Sequence, residues 1–251
     1  MKAMILAAGY GTRLRPLTDT VPKPLLPIAG QPLLVWQLRL LREHGVTDVM
    51  INLHHLGHLI EQAIGDGSPW GLRVHYSYEP EILGTGGGIK QAEAFFGSEP
   101  FVVLNGDILC NLALTPLLSW HRMRGALATM VLREDPNVWA WGAVEAHDDG
   151  RIVTIAGRGV TDPPRPEQQC KPYMFAGIHV MDARLLRHCP RGQYSSILDA
   201  YVAELKRGSL IAGYLMTGYW QDIGTPERYA QAQRDVQRGL LTGCHMLRES
   251  T

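Results

Sequence analysis

Apolar positions fall along this chain in two alternating rhythms. A short run, Ala3 to Ala7 within KAMILAAG, is bounded by glycine and predicts a strand buried on both faces. From Gln31 to His44, apolar residues recur at three- and four-residue spacing and stop at Gly45, which predicts an amphipathic helix with a glycine terminus. The alternation continues with a strand over Asp48 to Leu53, a helix over His58 to Ile64, a strand over Leu72 to Tyr78, a helix over Gly86 to Phe96 and a strand over Pro100 to Asn105. Strands separated by helices require crossover connections. The expected fold class is therefore α/β, a Rossmann-like open, mostly parallel sheet flanked by helices.

Beyond Asn111 the pattern loosens. A helix is expected near Leu114 to Arg124, with strands near Ala126 to Arg133 and Gly142 to Ala146. A strand follows over Tyr173 to Met181, then a helix over Ser195 to Arg207, a strand over Leu210 to Leu215 and a last helix over Pro226 to Gln237 with proline near its first turn. The polar, proline-rich stretch Arg158 to Pro172 reads as an exposed loop or flap, because a strand pattern resumes after it. Residues 1–239 are expected to form a single domain and 240–251 a frayed tail, with no repeat and no C-terminal β-helix.

Charge narrows the function. Lys plus Arg and Asp plus Glu are equal at 24 each, so no global field favours a nucleic acid or an anionic membrane, and neither is expected as a partner. Any anionic ligand must be caught locally. The first apolar run is too short for a signal sequence or a membrane span, so a cytoplasmic location is expected. Cys110, Cys170, Cys189 and Cys244 are dispersed and contain no C-x-x-C, which points to reduced thiols. His54 and His58 have i, i+4 spacing but lack H-E-x-x-H, so a solvated or capping role is expected there rather than a metal. Trp139, Trp141 and Trp220 are read as core or pocket wall, outside the site.

The chemistry concentrates in LAAGYGTRLRPLTDTVPKPLL, Leu6 to Leu26, where small residues, one forked cation and one movable cation follow a strand. Glycines let backbone N–H groups approach phosphate, Arg13 offers a bidentate fork and Lys23 a positive point. The segment is not G-x-x-x-x-G-K-[ST], and Leu14 stands where a dinucleotide fingerprint needs its third glycine. LGTGGGIKQA, Leu83 to Ala92, brings consecutive glycines to a helix start, either for close approach to a planar base or as a structural turn. VVLNGD, Val102 to Asp107, delivers a carboxylate at the C-terminal end of a strand. YWQDIGTPE, Tyr219 to Glu227, places Asp222 before a glycine and a helix start, where alone it would read as a turn or capping aspartate.

G-x-G-T-R-L-x-P-L-T followed by P-K-P-L-x-P resembles the signature of the nucleotidyl transferase family of sugar-1-phosphate nucleotidyltransferases, and the likeness runs over about residues 2–238. The resemblance implies that Leu6, Ala7, Ala8, Gly9, Gly11, Thr12 and Arg13 wrap a nucleoside triphosphate and that Lys23 contacts phosphate. It implies that Gly86 and Gly87 read the nucleobase, with Asn105 a further nucleotide contact, and that Asp107 and Asp222 hold Mg²⁺. Arg13, Lys23 and Asp107 become the catalytic candidates. For the sugar phosphate it points to Gly142, Glu145 and Gly177. The family's glutamate-lysine-proline motif is missing, and Arg158 and Lys171 are alternative replacements for its lysine.

The reaction so implied joins an NTP and a sugar 1-phosphate and releases pyrophosphate. Its nucleophile is already ionised near neutral pH, so no general base is required. Compact length and the G-G-G-I loop resemble the short N-acetylmuramate-1-phosphate uridylyltransferases; mannose- or heptose-1-phosphate guanylyltransferases share L-G-T-G-G and are the alternative. A non-catalytic nucleotide-sugar sensor is an alternative of another class, set back by retention of the arginine, the lysine and both carboxylates. A monomer or weak homodimer is expected.

Overall fold

The computed structural model describes residues 1–160 and 169–241. Contacts divide the chain into two compact units, one containing Met1–Pro80, Asn105–Ala113 and the segment from Gly218 onward, the other Glu81–Leu104 and Leu114–Thr217. The fold class is the expected α/β arrangement of an open sheet with flanking helices.

In the first unit, Lys2–Leu6, Asp48–Leu53 and Arg73–Tyr78 pair in parallel, with Met4 opposite Met50 and Met50 opposite His75. The first two read as continuous apolar runs, and Ala3, Met4, Ile5, Val49 and Ile51 are fully buried. The helices Leu33–Glu43 and Gly57–Ile64 supply the connections. The first of these starts two residues later than periodicity predicts. Gln31–Pro32 instead pair antiparallel with Pro27–Ile28 around Ala29 and Gly30, both at positive φ (49° and 80°), the conformation that closes a two-residue hairpin. The last helix, Pro226–Gln237, grips this hairpin: the Ala29 N–H donates to Gln233 Oε1 at 2.8 Å and the Tyr229 hydroxyl to Pro27 O at 2.8 Å.

One element escapes periodicity altogether. Ile108–Cys110 and Trp220–Asp222 form an antiparallel ribbon three residues long on each side, too short to show an alternating pattern.

In the second unit the twelve-residue strand Cys170–Met181 is the organiser. It pairs antiparallel with Phe101 to Leu104, with Ala128–Arg133 and with Val144–His147, while Ile211–Leu215 runs parallel to Ala128–Arg133. Ile152–Ile155 and Arg158–Gly159 extend the Val144–His147 side. The expected loop Arg158 to Pro172 is thus corrected at both ends, where cross-strand hydrogen bonding absorbs Arg158–Gly159 and Cys170 to Pro172; its middle, 161–168, lies outside the described residues. The expected tail also lies outside them from residue 242. The helix expected from Gly86 begins at Gly84, ends at Gln91, and is followed by the single turn Glu93–Phe96. Ser196 caps Ile197–Lys206 by accepting from the Leu198 N–H at 3.3 Å. Trp139 and Trp141 are exposed rather than core, because they sit in the irregular turn Val138–Trp141.

Cys110, Cys170 and Cys189 are free thiols, and Cys244 lies outside the described residues. No helix among the described residues is long and apolar enough to cross a membrane.

His179 and Tyr201 meet in the core of the second unit, His179 Nδ1 bonded to the Tyr201 hydroxyl. Burial pushes the His179 pKa from its ordinary 6.5 down to about 3. The imidazole stays neutral in the fold while the unfolded chain takes up a proton below 6.5, so stability present above that pH is lost as pH falls. We expect His179 to contribute roughly 2 kcal/mol of destabilisation between pH 7 and 5. The difference in urea-unfolding free energy between the two pH values should therefore shrink by about that amount in His179→Gln.

Candidate active site

The strand Lys2–Leu6 ends in a loop anchored on one side only. The Ala7 N–H donates to Asn52 Oδ1 at 2.7 Å, and Asn52 Nδ2 donates to Glu79 Oε1 at 2.7 Å, both partners buried. From there the backbone turns away, and the N–H groups of Ala8, Gly9, Gly11 and Thr12 have no hydrogen-bond partner among the described residues. A run of unpaired donors on one loop is an anion-binding concavity in waiting. Ala7 differs from the rest, since Asn52 already engages its N–H.

The loop is shaped by contacts periodicity does not reveal. Gly11 sits at φ +64°, and a Cβ there would lie 2.9 Å from Thr18 Cγ2; Thr18 donates its hydroxyl to Gly11 O at 2.8 Å. His54 joins Glu79 O at 2.7 Å to the Tyr10 hydroxyl at 3.1 Å, and His55 Nε2 reaches Thr18 O at 3.0 Å. The solvated or capping role expected at His54 is corrected: it ties down the loop. Thr12–Leu14 form a 3-10 turn in which Leu14 is buried and Arg13 projects exposed.

Both aspartates join this loop in the first unit. The Gly106 N–H donates to Leu6 O at 2.9 Å, and a Cβ on Gly106 would come within 2.5 Å of that oxygen, so only glycine allows the approach. Asp107 follows directly, with Lys23 Nζ 2.5 Å from its Oδ2. The ribbon then sets Asp222 opposite Ile108, and the Ile223 N–H donates to Asp107 O at 3.0 Å. Asp222 is nearly buried; it accepts from the Gly224 N–H at 2.8 Å and pairs with Arg228 Nη1 at 3.1 Å. A Cβ on Gly224 would lie 2.9 Å from Arg13 Nη2, so the free guanidinium of Arg13 rests over that glycine. Arg13 makes no hydrogen bond or ion pair among the described residues.

The structure therefore gathers Arg13, Lys23, Asp107 and Asp222 around one loop. It adds Gly106, Gly224 and Arg228, whose signal in the sequence was only their neighbourhood to the aspartates. Cys110, on the ribbon, has its thiol pushed up to about 11 by burial, which removes it as a nucleophile.

Fewer of the remaining candidates converge. Gly86 and Gly87 are buried and both direct their N–H groups at Ser195 O, at 2.8 and 3.4 Å, and a Cβ on Gly87 would meet Gln193 O at 2.4 Å. Their glycine character is explained by this packing. Glu145 accepts from the Thr154 hydroxyl. Lys171 is ion-paired with Asp148 at 2.8 Å, which raises its pKa, and stands six positions before Gly177 on one strand, roughly 20 Å away at the usual rise. Those two do not meet. Arg158 pairs with Asp199 at 2.7 Å and lies opposite Ile155, at the end of the sheet where a Gly142 Cβ would touch Ala156. Asn105 ends its strand beside Gly106.

No cluster of three or more metal-ligating side chains exists among the described residues. Two hard carboxylates at neighbouring positions nevertheless fit Mg²⁺, which takes one or two carboxylates and completes its shell with water and substrate phosphate. Each carboxylate is held by a cation, Lys23 or Arg228, so the donor set is one that positive charge already satisfies.

The model of the nucleotidyl transferase family matches residues 2–239. A UTP–glucose-1-phosphate uridylyltransferase of Synechocystis is 37% identical over 94% of this chain, which spans 63% of that relative's length. An N-acetylmuramate alpha-1-phosphate uridylyltransferase of Neisseria meningitidis is 36% identical over 93% of this chain and 97% of its own. A Bacillus anthracis structure, provisionally named a glucose-1-phosphate thymidylyltransferase, superposes with a TM-score of 0.79 at 25% identity, covering 93% of this chain and 94% of that one.

Two glycines of the site should behave oppositely. Gly106→Ala should destabilise the fold by about 2 kcal/mol through backbone collision, whereas Gly9→Ala, with nothing within 4 Å of the new methyl, should change it by less than about 0.5 kcal/mol. Urea unfolding of the two variants measures this.

Proposed function

We propose a function from one premise: the chain belongs to the nucleotidyl transferase family. It transfers a nucleoside monophosphate from an NTP to a sugar 1-phosphate. The sugar-phosphate oxygen bonds to the α-phosphorus, the bond from that phosphorus to the bridging oxygen breaks, and pyrophosphate leaves with the electron pair. The observation that supports this best is the free Arg13 guanidinium beside a run of unpaired loop N–H groups, next to the Lys23–Asp107 pair.

In this reading the N–H groups of Ala8, Gly9, Gly11 and Thr12 and the fork of Arg13 bind the triphosphate. Asp107 and Asp222 hold Mg²⁺, which when bound offsets charge on the α-phosphate and the leaving pyrophosphate. Lys23, freed from Asp107, turns to phosphate. What remains is to hold two anions together against their repulsion in a fixed geometry.

For substrates we propose UTP with N-acetylmuramate 1-phosphate or a related hexose 1-phosphate. The support is that two relatives are named uridylyltransferases and one of them is matched over nearly its whole length. Gly86, Gly87 and Asn105 for the nucleotide, and Gly142, Glu145 and Gly177 for the sugar, rest on resemblance. For the sugar-phosphate cation Arg158 is preferred to Lys171, because it lies at the Gly142 end of its sheet. The catalytic domain is taken as residues 1–239, acting as a monomer or weak homodimer in the cytoplasm.

Pyrophosphate release with Mg²⁺ across UTP, GTP, dTTP, CTP and ATP, each against a panel of sugar 1-phosphates, tests the reading. One preferred pair should emerge, and Asp107→Ala should lower its rate at least ~100-fold. Silence for every pair, with nucleotide sugar still bound, would replace the transferase with a non-catalytic sensor.

A further inference from the structure

Gln37 lies on the helix Leu33–Glu43 among Leu33, Leu34, Val35, Leu38 and Leu41, and is itself 2% exposed. Its side-chain NH₂ donates to two backbone carbonyls, Asn105 O at 2.8 Å and Ile108 O at 2.9 Å. Those carbonyls bracket Gly106 and Asp107, so one amide from the helix clamps the turn that carries the aspartate. The other end of the amide is unsatisfied, because Gln37 Oε1 is buried with no hydrogen-bond partner. Turning the amide over would set that oxygen against two carbonyl oxygens, so the orientation is fixed by the turn.

A leucine or methionine would suit the apolar face of this helix and remove the unpaired Oε1, which works against stability, but it would leave the Asn105 and Ile108 carbonyls without this donor. The backbone of the turn is otherwise held from outside, by Leu6 O on the Gly106 N–H and by the Ile223 N–H on Asp107 O. Neither contact engages the carbonyls of Asn105 and Ile108. We infer that Gln37 is a positioning residue: it fixes the Asn105–Ile108 turn so that the Asp107 carboxylate is aimed at its cation, Lys23 in this structure and the divalent metal in the proposed reaction. The inference rests on the metal role proposed for Asp107 and deepens it. Gln37 touches neither substrate nor metal.

The test is Mn²⁺ binding to the full chain in the presence of saturating UTP, followed by the enhancement of water-proton relaxation, which separates the protein-bound ion from Mn²⁺–UTP in solution and needs no turnover. Gln37→Met keeps the volume and removes both donors. Val35→Ala, on the same helix and buried but away from the turn, serves as a control for lost stability. Loss of a group that orients a metal ligand typically costs 10- to 100-fold in metal affinity. Gln37→Met should therefore weaken Mn²⁺ binding at least ~10-fold, with Gln37→His, which keeps one donor, falling between, while Val35→Ala stays close to wild type. If Gln37→Met folds poorly, the intermediate value of Gln37→His against Val35→Ala carries the same comparison. Equal Mn²⁺ affinity in Gln37→Met and wild type, or an equal loss in Val35→Ala, overturns the positioning role and leaves the transferase reading standing. Failure of the wild type itself to bind Mn²⁺ with any NTP overturns the metal role of Asp107 and this inference with it.

Discussion

The contact on which the site depends is a backbone one, the approach of Gly106 to the carbonyl of Leu6. It joins the end of the first strand to the turn carrying Asp107, and it is possible only because residue 106 has no side chain, a Cβ there falling 2.5 Å from the oxygen. Once that turn is docked, the strand leaving it, Ile108–Cys110, can pair with Trp220–Asp222, and the second aspartate arrives from far along the sequence in a fixed register. Lys23 then meets Asp107, and Arg13 finds room over Gly224. Shifting the docking by one residue would move both carboxylates off the loop together, because antiparallel register transmits a slip to every partner.

Glycine therefore serves two different purposes within one small region, and one glycine there serves neither. At Gly11 it permits a left-handed backbone, at Gly106 and Gly224 it permits close approach, and at Gly9 neither reason applies, since a methyl would meet nothing within 4 Å. The loop thus combines a glycine its own fold requires, Gly11, with one it does not, Gly9, beside a run of unpaired N–H groups. Gly86 and Gly87 make the opposite case: their N–H groups and the space beside them are taken by the segment 193–196. A glycine-rich string is thus no evidence of a ligand until its donors are traced.

That tracing marks how far the sequence was legible. Element type followed from periodicity wherever a segment was long, so Asp48–Leu53, Leu114–Arg124 and Pro226–Gln237 have the expected bounds. It failed where three-residue strands or a two-residue hairpin leave no period to read, at Ile108–Cys110, Trp220–Asp222 and Pro27–Ile28. The four charged residues of the site were legible by motif, and the meeting of Asp107 and Asp222 was implied by the resemblance alone, because nothing in local pattern records a ribbon between distant segments. The roles of Asn52, His54 and Gln37, which hold the loop and the turn, were invisible for another reason. Asn52 and Gln37 sit in an ordinary strand and an ordinary helix, His54 in the connection after that strand, and each role exists only through a partner far away in sequence.

Charge explains how the fold tolerates such an arrangement. Two carboxylates at neighbouring positions, partly withdrawn from water, repel one another and disfavour the fold unless each has a counter-charge. Lys23 on Asp107 and Arg228 on Asp222 supply one each, and Arg13 remains as the unpaired cation. The five groups thus carry three positive charges against two negative, a small net attraction for an anion rather than a neutral cage. In the proposed reaction an incoming phosphate chain would meet Arg13 and the loop N–H groups first, since these have nothing to release. A divalent ion arriving with it can then compete for the carboxylates, and each basic side chain it displaces becomes available to the phosphates. The same charges that hold these carboxylates in the fold are therefore those that a bound substrate would redistribute in the proposed reaction, and the geometry of the turn at Asp107 would decide how well that exchange is aimed.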